Sequence, residues 1–319
     1  MRVLGFYERD GHSDASAAWE SFTSVWNWSA PLAAALPWDP SGAGPLVRGV
    51  AGGFSVSGQW RLPAAGTAGS RAAVTGGRWL ALRLAEHPHG PGDRFGVGDP
   101  DVFVVSSKVL PGPSRDPHAA GDGRASGGVG GGAAGSADRG TDGPWAVFRL
   151  ADVYVPGGFA TSSSGTPLGA GDAVFVWAAV AGMAFGAARR LTDALAALGT
   201  HGAAVSSAVS PVAAAAELAA ALHDERLSLA ARLHGVSRAA GARPAAEAVL
   251  AERVRRAGRL VHQVVSAAYE YGLACRGNAA RDPLISLVDD STPILQYMRY
   301  AVDLLPPDER TPTVEGDTR

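Results

Sequence analysis

Lysine is all but missing from this sequence: Lys108 is the only one, and every other base is arginine. With 42 glycines and abundant alanine, that pattern reflects a GC-rich coding bias rather than chemistry. Cysteine is just as scarce. Cys275 stands alone, which excludes an internal disulfide framework and fits a reducing cytoplasm. A surplus of either charge is also missing, since 28 Lys and Arg face 30 Asp and Glu for a net charge of -2. Such a chain has no basic excess to neutralise phosphates, so a general nucleic-acid binder is excluded. Only 18% of residues are charged while 46% are apolar, which excludes a wholly disordered chain. No signal core is expected at the N-terminus, where MRVLGFYERDGHSD acquires acids at once. The longest apolar run, 173–188, falls short of the roughly 20 residues that span a bilayer, and Arg189 and Arg190 close it. A buried helix is the expectation, with no membrane partner.

The 319 residues suffice for one large domain or two modest ones. The order of patterns predicts an α+β chain: a small antiparallel β-domain followed by a four-helix bundle. Residues 1–44 read as a short helical remnant. Within them 16–36 hold three of the eight tryptophans and form a broken amphipathic helix, interrupted at Pro31. Residues 45–160 read as the β-domain. Its strand-length runs at 46–50, 54–60, 79–84, 102–105, 145–150 and 152–155 are separated by Gly, Pro and Asp. Period two places Phe54 and Val56 on one face. Residues 116–144 are almost all Gly, Ala, Ser and Asp, too poor in apolar surface to order themselves, and are expected as a mobile loop. Gly130, Gly132 and Gly135 have dinucleotide-fingerprint spacing, but no strand leads in and no helix leaves to meet a phosphate.

Residues 172–305 are helical in pattern. Asp172 is placed to cap a first helix that runs to about Leu198, striped by Val180, Met183, Ala187, Leu191 and Ala194. Pro211 opens a second helix and Pro244 a third, which continues to Tyr271. The third carries Leu250, Val254, Ala257, Val261, Val264 and Ala268 on one face, with Arg255, Arg259, His262, Gln263 and Glu270 largely off it. A fourth is predicted to start after Ser291-Thr292-Pro293, with Asp289 and Asp290 serving its N-terminus. The polar tail, 306–319, is expected to be flexible.

Three passages carry a resemblance. Gly52-Gly-Phe-Ser-Val-Ser-Gly-Gln-Trp60 resembles the strand pair in the middle domain of the acyl-CoA dehydrogenase superfamily, including its flavin monooxygenase branch. Trp145-Ala-Val-Phe-Arg-Leu-Ala-Asp-Val-Tyr-Val-Pro156 is similar to the last strand of that domain. Ala181-Gly-Met-Ala-Phe-Gly-Ala-Ala-Arg-Arg190 resembles the helix that opens its bundle. They occur in the family's order across about residues 45–305. The resemblance implies FAD chemistry at a cleft between β-domain and bundle, with the protein orienting a ring that supplies the electron chemistry.

The chain departs from that pattern at the residues that would hold the flavin. The family's leading helical domain is reduced to about 45 residues. Ala64 stands where family members place a hydroxyl donor, and the glycine tract lacks the monooxygenase branch's binding turn. Gly66-Thr-Ala-Gly-Ser70 is similar to that turn but lies in another segment. Arg299 matches one arginine of the branch's closing helix, where Tyr300 replaces an acid. Each lost polar partner removes on the order of 1 kcal/mol, so the isolated chain is expected to hold no FAD.

Candidate catalytic residues are His262, Glu270 and Tyr271, and candidate substrate contacts are Trp60 and Arg299. Histidine titrates near neutrality, and a bundle glutamate is the usual base in the family. No metal site is expected: His87 and His89 read as a surface loop, and Arg276 suits a helix C-terminus. Three functions are open. The first is a flavin-free relative that performs a redox-neutral step, such as cyclisation, on a hydrophobic acyl or polyketide-type substrate. The second is an FAD-dependent subunit, one half of a heteromer with a fuller relative. The third is a non-catalytic binding or scaffold protein. A cytoplasmic homodimer is the expected form.

Overall fold

The computed structural model describes residues 2–38, 44–63, 78–84, 100–110, 145–200, 211–238, 243–274 and 283–307. The chain is mixed α+β, with a helical C-terminal region. Two helices lead, α1 (Arg2–Ser13) and α2 (Ala15–Val25). Asp14 caps α2 by accepting a hydrogen bond from the Ala17 amide at 2.9 Å. Nine strands follow: β1 (Trp26–Asn27), β2 (Ala33–Pro37), β3 (Leu46–Val50), β4 (Gly53–Pro63), β5 (Trp79–Arg83), β6 (Val102–Ser106), β7 (Trp145–Pro156), β8 (Ala160–Thr161) and β9 (Thr166–Pro167). Four long helices close the chain: α3 (Ala173–Thr200), α4 (Pro211–Arg238), α5 (Arg243–Ala274) and α6 (Pro283–Leu304).

The main sheet runs β3-β4-β2-β5-β6-β8, with β7 paired along the other edge of β4. β4 and β7 are antiparallel from Gly53 opposite Pro156 to Pro63 opposite Trp145, broken by one register shift between Val56 and Gly58. Gly58 sits at φ +147, and a Cβ there would come 2.9 Å from Pro45 Cα, so only glycine serves that bend. Asp152 answers it from β7 at φ 49, its amide donating to Ser57 Oγ at 2.8 Å. Val56, Trp60 and Leu62 are buried at period two, while Phe54 is half-buried against the same core.

Two expectations about this part are corrected. Residues 16–36 do not form one broken helix: Trp26 is extended, its amide closing on the Phe22 carbonyl, and α2 stops at Val25. Ala33–Pro37 is a strand because its backbone finds ladder partners on β4 and β5, which overrides alanine's helix propensity. Nor is the sheet wholly antiparallel. β2 pairs β5 in parallel, which the long chain between them permits, since a parallel pair needs a crossover rather than a tight turn.

In the helical region α3 is the centre, with Val176, Trp177, Val180, Met183, Ala184 and Leu191 fully buried. It touches α1, α4, α5 and α6. It is the one helix among the described residues long and apolar enough to cross a bilayer, and 72% of its apolar window is buried inside the fold. Asp172 does not cap α3 directly. Its carboxylate accepts from the Gly169 amide at 2.8 Å and closes the 3-10 turn Ala170–Asp172 ahead of it.

A third correction concerns α6, which starts at Pro283 and runs through Pro293. Leu284, Val288, Ser291, Ile294, Tyr297 and Met298 bury one continuous stripe, and that burial outweighs the roughly 3 kcal/mol an internal proline costs. Ser291 and Thr292 turn their hydroxyls back onto the Leu287 and Val288 carbonyls at 2.7 and 2.9 Å, so they sit inside the helix rather than at its cap. Asp289 and Asp290 are exposed mid-helix residues.

Candidate functional site

The sheet meets α6 along a seam of aromatic rings. Trp79 at the start of β5 stacks on Phe159, which ends the 3-10 turn Gly157–Phe159, with centroids 5.5 Å apart and planes at 9°. Tyr300 leans on both, at 5.5 Å from Trp79 and 5.8 Å from Phe159. Tyr297, one turn earlier, contacts Phe159 at 6.1 Å, Trp19 at 4.9 Å and Trp28 at 4.5 Å. The backbone brings these elements together: the Gly158 amide donates to Gln296 Oε1 at 3.2 Å, and a Cβ on Gly158 would collide with the Pro293 carbonyl. The inner rings are sealed, whereas Trp79 and Tyr300 are half-buried and form the outer layer.

Polar atoms are few here, and several lack partners. Among the described residues, Trp28 Nε1, Trp79 Nε1 and the Tyr297 hydroxyl are buried without one, as is Thr161 Oγ1 on the neighbouring strand β8. Burial raises the Tyr297 pKa far above the ordinary phenol value, so the hydroxyl keeps its proton at any ordinary pH. It can donate a hydrogen bond; it cannot serve as a base.

A concavity lined mostly by charged and polar residues lies between α4 and α5. It encloses about 560 Å³ and is lined by Ala221, Asp224, Glu225 and Ser228 from α4, and by Arg253, Arg256, Arg259, Leu260 and Gln263 from α5. Glu225 is buried and holds two guanidiniums, Arg253 at 3.2 Å and Arg256 at 3.1 Å. Arg259 is held from outside by Glu252 at 3.1 Å, a contact that lowers the Glu252 pKa. Among the described residues no three His, Cys, Asp or Glu side chains gather as a metal site requires.

The residues singled out from the sequence are dispersed. His262 and Glu270 are exposed on α5, about 12 Å apart along its axis, and Tyr271 is half-buried against the core. Trp60 is fully buried inside the β-domain, its indole donating to the Arg83 carbonyl at 3.3 Å. Arg299 is exposed beside the seam, its guanidinium 5.3 Å from the Tyr300 ring centre. Of the five, Arg299 touches one of the rings described above. Ala64, His87, His89, Cys275, Arg276 and the glycine tract lie outside the described residues. Sequence reading missed Trp79, Phe159 and Tyr297, which no local motif links. It also missed Arg253 and Arg256, which the three-residue spacing of Arg253, Arg256 and Arg259 could have placed on one face.

No family model matches the sequence, and no curated protein does. Solved structures do align with it. PigA with FAD and proline is 15% identical at TM-score 0.31, with 86% of this chain covered and 66% of PigA. The HsaA monooxygenase from M. tuberculosis is 15% identical at TM-score 0.33, covering 95% of this chain and 82% of that one. An acyl-CoA dehydrogenase from Geobacillus kaustophilus is 14% identical at TM-score 0.25, covering 84% and 68%. The likeness is one of fold. The chain spans less than two thirds of PigA's length.

Proposed function

We propose that this chain is an acyl-CoA dehydrogenase-like protein, its last four helices forming a bundle, that has given up self-sufficient flavin chemistry. It performs a redox-neutral step, such as a cyclisation, on a hydrophobic acyl or polyketide-type substrate in the cytoplasm. The observation that carries this reading is the closed stack of Trp79, Phe159 and Tyr300 at the sheet–helix seam.

Those rings suit a flexible substrate better than a rigid tricycle. Ligand sites are mostly apolar and aromatic with a few placed polar groups, and the seam has that composition. Its outer rings, Trp79 and Tyr300, are half-buried and present an apolar face to an approaching chain. Behind them the buried Tyr297 hydroxyl is a hydrogen-bond donor, and apolar walls suit the holding of reactive conformers. Arg299 stands at the rim to meet a carboxylate or other anionic end of the substrate.

A second reading has its own support. The partnerless atoms of Trp28, Trp79 and Tyr297 resemble donors awaiting a ligand. In this reading a fuller relative completes the site, and the pair binds FAD as a heteromer. A visible spectrum of the purified chain separates the two. Absence of a flavin band, with turnover of a linear acyl substrate to an isomeric ring of unchanged mass, supports the first. A flavin band that appears only after the relative is added supports the second and removes the first.

A further inference from the structure

We infer that the polar groove between α4 and α5 is a binding site for a small oxyanion, a phosphate ester or a carboxylate. This inference does not rest on the reading of the seam. The groove is built by two helix faces: Ala221, Asp224, Glu225 and Ser228 recur at helical spacing on α4, as do Arg253, Arg256, Leu260 and Gln263 on α5. Its volume, about 560 Å³, lies in the range that accepts one small organic molecule.

Charge decides which molecule. Three guanidiniums line the groove against two carboxylates, leaving an excess positive charge. Glu225 is 5% exposed, so its negative charge is spent on fixing Arg253 and Arg256 from below rather than on the cavity. Arg256 reaches it through Nε, which leaves both terminal nitrogens without an acceptor among the described residues, on a side chain 65% exposed. Arg259 is likewise 63% exposed, and Glu252, its partner, is not part of the lining. A guanidinium pre-oriented by one carboxylate, with its remaining N–H groups in a concave site, is what planar recognition of an oxyanion needs. Gln263 and Ser228 add neutral hydrogen-bonding groups, and Asp224 on the lining accepts from a hydroxyl or amine on the body of the ligand.

The test uses the full chain with inorganic phosphate and acetate as probes, followed by phosphorus line broadening and by titration calorimetry. Saturable binding is expected in the wild type and should weaken about tenfold in Arg256→Gln and in Arg259→Gln. Both positions are solvent-facing, so the variants should fold, which circular dichroism checks. Arg48→Gln, on the exposed strand β3, should bind as the wild type does. Preference for phosphate identifies an ester ligand, and preference for acetate a carboxylate. Wild-type protein that binds neither, or Arg256 and Arg259 variants that bind as well as Arg48→Gln, would overturn the inference.

Discussion

Tyr297 carries a hydroxyl into the most deeply buried part of the sheet–helix seam, where no acceptor among the described residues meets it. An orphaned buried hydroxyl costs folding energy, so its removal should be tolerated. Tyr297→Phe is expected to leave stability at pH 7 unchanged or raised by up to about 1 kcal/mol, measured by urea unfolding. A loss of more than about 1 kcal/mol would mean that the hydroxyl has a partner in solution. The pH dependence has a definite sign. Burial raises the folded-state pKa above the ordinary value of 10.0, while the unfolded chain ionises near that value. The stability contribution is therefore complete below about pH 10 and is lost as pH rises above it. Tyr7, raised by partial burial against the opposing pull of its hydrogen bond to Trp26, adds a loss of the same sign. Tyr297→Phe should consequently lose less stability than the wild type between pH 9 and pH 11, and equal alkaline losses in both would contradict the assignment.

The leading helix α1 lies so close to α3 that their backbones meet. A Cβ on Gly182 would come 2.5 Å from the Leu4 carbonyl, and one on Gly186 would strike the carbonyl of Glu8 and the amide of His12. Gly11 presents the reciprocal contact to Met183. Glu8 then locks the packing, reaching Arg189 on α3 at 3.3 Å and Arg226 on α4 at 2.5 Å. Gly186→Ala should cost about 1–3 kcal/mol or more, because rigid backbone rather than a flexible side chain must move. Gly235→Ala on α4, where nothing lies within 4 Å of the added methyl, should gain about 0.5 kcal/mol. Thermal unfolding of the two variants side by side tests the difference. Equal effects would show that α1 does not hold this position.

These elements also show how far the sequence could be read. The Gly52–Trp60 motif reads as a strand because its branched and aromatic residues alternate, and β4 forms there; the 145–156 motif became β7, its partner along the whole length. α3 was legible because its stripe is long and its neighbours enclose it. The start of α6 was not, because Ser-Thr-Pro is a strong local stop signal that only tertiary burial of Leu284 and Val288 overrides. The seam was illegible for a different reason. Trp28, Trp79, Phe159 and the Tyr297–Tyr300 pair come from four distant places, and no periodicity along the chain foretells that their rings will meet.

At the scale of the whole molecule, the helical region leaves apolar side chains in water. Leu227 on α4, and Val249, Tyr269 and Leu273 on α5, are each more than a third exposed. A homodimer through the helical region is the expected assembly, and a monomeric mass by light scattering at micromolar concentration would contradict it.

The central claim is the proposed loss of self-sufficient flavin chemistry, and titration of FAD into the isolated chain tests it most directly. Ala64 stands where the resembled family places a hydroxyl donor to the flavin, and the proposal takes that donor as lost. Flavin fluorescence should therefore remain that of free FAD throughout the titration. Saturable quenching with submicromolar affinity would contradict the account and restore a conventional flavoenzyme.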